Sequence, residues 1–238
     1  MNIRRLIAFM LTAILCLCVL SDALAWEPGF TVYHGDREQK RICITVDDCK
    51  DVGYMWQIFN LSQELNVPIT FFTLGYVLEN TDRDLWLAIA ASNCEIGNHT
   101  YYHNTLPKQS HTAGVNALLR TQAKLDEVLG YHYQMQVMRP PYGEMQDASG
   151  NSSATIQIIQ DAGYSHAILW DGILDYPEDC YRSVQNGSIM LFHALKDDVT
   201  VLTEILPWLI EDGYEFVTVS EMLGLPPVTT STDLFVLD

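Results

Sequence analysis

The chain has 238 residues, with 30 Asp and Glu against 13 Lys and Arg, for a formal net charge of −17 at pH 7. That length holds one domain with a substantial core and leaves two full domains cramped. The charge repels polyanions in bulk, which excludes a general nucleic-acid binder and favours neutral or cationic substrates, or an anionic polymer met only through a local cleft.

The N-terminus reads "MNIRRLIAFMLTAILCLCVLSDALAWEPG". Arg4 and Arg5 precede an apolar run from Leu6 to Leu20, and Ala23-Leu24-Ala25 gives the small-x-small pattern cut by signal peptidase, so residues 1–25 are expected to be a secretory signal peptide. The rival is an uncleaved membrane anchor, for which the run is short of the about 20 residues a span needs. Cleavage would also remove Cys16 and Cys18, leaving Cys43, Cys49, Cys94 and Cys180 in an oxidising compartment. At least one disulfide is expected there, with all pairings open and Cys49–Cys180 preferred because both would flank one site; four buried thiols are the alternative.

Past the leader, short β-branched or aromatic runs alternate with amphipathic ones: "RICITV", "YMWQIFNLSQELN", "ITFFTLG", "DRDLWLAIAAS" and "CEIGNH". A long helical stretch around "VNALLRTQAKLDEVLG" follows, then "QVMR", "SATIQIIQDAG", "YSHAILW", "GSIMLFH", "VLTEILPWLIEDG" and "YEFVTV". About seven strands separated by helices predict a parallel α/β sheet or barrel. Pro226 and Pro227 end the pattern, and "VTTSTDLFVLD" is expected as a loosely packed extension.

In such folds chemistry gathers where strands end and helices have not begun. Polar clusters fall at five of those places, with Asp47 and Asp48 after "ICITV", His99 and His103 after "EIG", "RPPYG" after "VM", "DGILDY" after "AILW", and His193 after "IMLF". Each has a bland reading alone: Asp-Asp caps a turn, and a lone histidine is a satisfied core residue. Together, a carboxylate such as Asp48 with His99 and His103 would form a two-histidine, one-carboxylate metal site with open positions, and Asp47 would point elsewhere from the same strand end.

These motifs resemble, in order, those of the polysaccharide deacetylases with a NodB homology domain, carbohydrate esterase family 4. "TVDD" stands for Thr-Phe-Asp-Asp, "HTYYH" for His-Ser/Thr-x-x-His, "RPPYG" is entire, "WDGILDY" stands for the Asp-x-x-Asp-Trp region and "LFH" for Leu-x-His. The resemblance covers residues 40–224, which it implies are the catalytic domain, with residues 26–39 a lead-in and 225–238 a tail. It implies a distorted (β/α)7-type barrel and a divalent metal, zinc or alternatively cobalt, held by Asp48, His99 and His103. It implies Asp47 as general base, His193 as general acid, Arg139 orienting Asp47 and Asp175 orienting His193. The backbone N–H of Tyr142 would hold the oxyanion and Leu191 would line the acetyl pocket.

The expected protein is thus a secreted or cell-envelope monomer that removes acetyl groups from an N-acetylated, or O-acetylated, polysaccharide such as peptidoglycan or chitin-like oligomers. Nucleic acid is not expected as a partner, and a membrane only if the leader is retained. The chain departs from the family pattern at Val46, at Cys49 where glycine is usual, and at Tyr176 where tryptophan is usual. The fourth motif is also shortened, which leaves Asp171 as a rival to Asp175. A carbohydrate-binding protein that has lost turnover, and an iron-binding facial triad, are the competing classes.

Overall fold

The computed structural model describes residues 26–172 and 176–235; the expected signal peptide and Asp175 lie outside the described residues. The elements run β1 (Thr31–Val32), β2 (Arg41–Asp48), α1 (Val52–Leu65), β3 (Ile69–Thr73), α2 (Arg83–Ala90), β4 (Glu95–Asn98), α3 (His111–Leu129) and β5 (His132–Tyr133). They continue α4 (Ser153–Asp161), β6 (Ala167–Ile168), α5 (Pro177–Ser183), β7 (Ile189–His193), α6 (Lys196–Glu211), β8 (Glu215–Phe216), α7 (Val219–Met222) and β9 (Thr230–Ser231). Strand–helix alternation is what the apolar periodicity predicts.

A strand covered on both faces cannot alternate polar and apolar residues, and β2 and β3 accordingly bury nearly every position. The sheet order is β4-β3-β2-β7, all parallel, with β8 paired to the start of β2. β1 pairs in parallel with β6, and single bridges join Asn98 to Met138, Met138 to Ala167 and Gly172 to Met190. These pairings, part ladder and part single bridge, run round from β2 through β4 and β6 to β7 and back. The fold is a distorted (β/α) barrel. Helices pack Ile58, Trp86, Leu118 and Leu202 onto the outer strand faces.

Local signals start and stop the helices beside the strand ends. Asp51 caps α1 by accepting from the Tyr54 N–H, just three residues after Asp48. Ser110 caps α3, and Gly130, at φ +81°, ends it.

Two expectations are corrected. The described part of the C-terminal tail, as far as Phe235, is tied to the fold, because Thr230–Ser231 pairs antiparallel with His132–Tyr133 and the Phe235 N–H donates to Asp126 at 3.0 Å. The disulfide expectation also fails, since Cys43, Cys49, Cys94 and Cys180 are all free and buried. Each lies in its own apolar niche: Cys43 faces the Met222 sulfur, Cys49 the carbonyls of Val46 and Phe72, and Cys94 the Ser62 hydroxyl.

Candidate active site at the strand ends

Parallel register decides which side chains share the mouth. Asp47 on β2 is opposite His193 on β7, and Thr45 is opposite Leu191, so these four point to one face. β4 ends beside β3 and delivers His99, whose N–H donates to the Thr73 carbonyl. Asp47, Asp48, His99, His103, Arg139 and Tyr142 are brought together; Asp175 lies outside the described residues.

The loops that carry them have unusual backbones. Among the described residues six non-glycine positions have positive φ, and five belong to these loops: Asp48, Cys49, Thr100, His103 and Tyr142. Left-handed non-glycine residues cost about 1–3 kcal/mol each and persist where the surroundings over-determine them. Here the twist turns Asp48 away from Asp47. Cys49 makes the turn without glycine, at φ 57°, with its thiol held against two carbonyls.

Asp47 and Arg139 form a buried pair. Arg139 is fully buried, and its Nη1 donates to Asp47 Oδ1 at 2.6 Å and to Thr45 Oγ1 at 2.7 Å. Its other nitrogens reach the carbonyls of Ile168 and Leu169, and the Phe72 ring lies 4.4 Å from the guanidinium. A buried charge is tolerated only when paired and hydrogen-bonded, and this one is. With Oδ1 taken, Asp47 Oδ2 faces His99 Nε2 at 3.6 Å.

His99 is oriented by its far nitrogen, since Nδ1 donates to the Arg139 carbonyl at 2.8 Å, which leaves Nε2 with its lone pair inward. The Nε2 atoms of His99 and His103 are 3.2 Å apart, and Asp48 Oδ1 lies 3.9 and 3.5 Å from them. Burial pushes the pKa of both imidazoles down, helped at His103 by His99. Burial works to raise the Asp48 pKa, but the Lys50 hydrogen bond and the two imidazoles outweigh it and hold the carboxyl below its usual range. The donor set is two imidazoles and a carboxylate.

These residues fit a cation. Asp48 Oδ1 is buried and has no hydrogen-bond partner, an expensive state for a carboxylate oxygen unless something positive sits beside it. Asp48, His99 and His103 each direct one ligand atom into the same space, all within 4.8 Å of one another. Sulfur is absent from the set and open positions remain, which suits a catalytic zinc or a related divalent ion.

Residues 34–167 match the model of the family described as polysaccharide deacetylase, which is more than half of the chain. The chain belongs to the polysaccharide deacetylase family. It is 28% identical over 213 residues to a peptidoglycan-N-acetylglucosamine deacetylase of Bacillus cereus, covering 83% of this chain and 95% of the relative. A crystal structure of a peptidoglycan N-acetylglucosamine deacetylase superposes with a TM-score of 0.71 at 25% identity, covering 84% of this chain and 99% of the other. A carbohydrate esterase family 4 pseudoenzyme from Bacillus anthracis also superposes at 0.71, at 21% identity over 83% of this chain and 70% of the other, and so shows the fold alone. Members of this family are polysaccharide deacetylases, a class of hydrolase.

Three site contacts escape sequence reasoning. Thr45 shares Arg139 with Asp47, and its place two residues earlier on the strand was the available signal. Lys50 Nζ donates to Asp48 Oδ2 at 2.9 Å, and Asp198 accepts from the His193 N–H at 3.1 Å from the first turn of α6. Asp171, the rival partner for His193, is corrected. Its carboxylate is occupied by Arg37, the Ser188 hydroxyl and the Ile189 N–H, so it braces the β7 entry.

Proposed function

We propose that this polysaccharide deacetylase is an exported, metal-dependent enzyme that removes acetyl groups from N-acetylated glycan, with peptidoglycan the first candidate substrate. The cell-wall activity of its named relatives supports that substrate and a cell-envelope location. The observation that carries the reading is the orphaned, buried Asp48 Oδ1 converging with two lone-pair imidazole nitrogens beside an Arg-braced carboxylate. A divalent ion held by Asp48, His99 and His103, zinc in our reading, would polarise the acetamide carbonyl and a water molecule.

Asp47 accepts the proton of the attacking water through Oδ2, the oxygen Arg139 leaves free. The backbone N–H of Tyr142, in the left-handed turn after Pro140 and Pro141, faces the developing oxyanion. His193, one strand over from Asp47, delivers a proton to the departing amine with Asp175 as its partner in our reading, while Asp198 holds the His193 backbone N–H. Leu191, nearly buried on the same face, lines the acetyl pocket. Exposed Tyr102, Tyr142 and Tyr176 offer the amphipathic surfaces on which sugar rings pack. The catalytic unit is residues 40–224.

Chelation of the purified protein should abolish acetate release from N-acetylated glycan, and stoichiometric zinc or cobalt should restore it. His99→Ala or His103→Ala should lose both metal and turnover. Full activity in protein shown metal-free by elemental analysis would overturn the reading.

A further inference from the structure

Between His99 and His103 the chain also lines a second cavity. Thr100, Tyr101, Tyr102 and Asn104 form one wall of a cavity of about 280 Å³, and Gln109 just before α3 with Asn116 and Arg120 from its first half line the other. Arg120 is stacked on the Tyr101 ring at 3.9 Å and lies 5.6 Å from the Tyr102 ring. Tyr101 is itself fixed, its hydroxyl donating to Glu79, and Tyr76 stacks on the far side of Tyr102 at 6.2 Å.

Two features point to a ligand. Arg120 makes no ion pair among the described residues, in a chain where acids outnumber bases by more than two to one. A surface cation held on aromatic faces, with its donor edges unmatched by any carboxylate, is pre-organised for an anion brought from outside. Independently, Thr100 is fully buried and its hydroxyl is one of the few buried polar atoms without a partner. Guanidinium, hydroxyl and the amides of Asn104, Gln109 and Asn116 together suit a carboxylate. Tyr102, 55% exposed, lines this cavity and immediately precedes His103 of the candidate metal site.

We propose that this cavity is a subsite for a carboxylate-bearing substituent of the glycan, with Arg120 as its anion-binding residue. It rests on the proposed deacetylation and deepens it: the preferred substrate is an acetylated glycan that carries acidic side groups, over a neutral one. It also resolves how a strongly acidic protein meets an acidic polymer, by one local cation in place of a general field.

The test uses the full mature chain and two matched oligosaccharides, one with free carboxylates on its side groups and one with the same carboxylates amidated. Wild-type protein should bind the free-acid form more tightly by calorimetry and show the lower KM on it. Arg120→Gln should collapse that preference by about tenfold or more, the usual size of a hydrogen bond to a charged group. Arg120→Lys should keep part of it, and raised salt should erode it in wild type. Arg120 is exposed, so both variants are expected to fold, and circular dichroism checks it. Equal binding of the two oligosaccharides by wild type, or a preference unchanged in Arg120→Gln, overturns the subsite. Absence of acetate release from either oligosaccharide would instead count against the deacetylase reading, and the binding comparison would still decide the subsite.

Discussion

At the scale of single residues, the roles proposed for the two neighbouring aspartates can be tested separately because their surroundings differ. Asp47 is braced by a buried guanidinium, while Asp48 faces two imidazoles. Asp47→Asn should therefore keep near-normal zinc occupancy while turnover falls about 10²-fold or more, the contribution of a positioned base. The same change removes the charge that offsets Arg139, so chemical denaturation should show a loss approaching the about 3–5 kcal/mol of a broken buried pair. Wild-type turnover with zinc bound would remove Asp47 from the proton-transfer role. His193→Ala should also retain metal, but its defect should be larger on an acetamide than on an activated ester, whose leaving group departs without a proton. Equal slowing of both substrates would show that His193 is not the acid.

At the scale of elements, the end of the barrel opposite the site is held by a buried acid. Glu95, at the start of β4, accepts from the hydroxyls of Thr70 and Ser220 and from the Ser220 N–H, while Thr70 in turn accepts from the Val219 N–H, so α7 is tied to β3 and β4. Burial raises the Glu95 pKa, against the pull of those donors. A carboxyl whose folded pKa lies above its unfolded value contributes stability that is complete below about pH 4.3 and is lost as pH rises through the folded value. Glu95→Gln should remove that loss, so urea titrations should show the variant gaining on wild type as pH rises from 4; parallel profiles would contradict it. The main strands were legible because "ICITV", "ITFF" and "IMLF" are apolar on both faces. "QVMR" was less so, since only Met138 makes bridges there and Pro140 and Pro141 follow directly. Asp47, Asp48, His99 and His103 could be found from their place at strand ends. Which oxygen of Asp47 Arg139 takes, or that Lys50 folds back onto Asp48, depends on a left-handed turn that residue type does not announce.

At the scale of the whole molecule, the four thiols among the described residues lie in separate niches, which only three-dimensional register could reveal. Burial pushes Cys43 and Cys49 well above the usual thiol range and Cys180 to about 11. Reactivity follows the exposed thiolate, so native protein should resist iodoacetamide at pH 8 and accept four labels only when unfolded. Mass spectrometry of unreduced mature protein with fewer than four alkylatable thiols after denaturation would restore the disulfide expectation. The same spectrum tests the proposed export: a chain beginning at Trp26 is expected, and one that retains Met1 would overturn it.

Arg139 joins parts of the chain far apart in sequence, reaching β2 on one side and the carbonyls at the end of β6 on the other. Contacts of such separation close large loops and form late in folding. The braced carboxylate proposed as the base is therefore assembled only once the segment through β6 has docked against β2. On refolding, acetate release should return after the far-ultraviolet helical signal, and a half-made barrel would carry its aspartate without the ability to use it. Catalytic competence in this chain is a clock for the completion of folding.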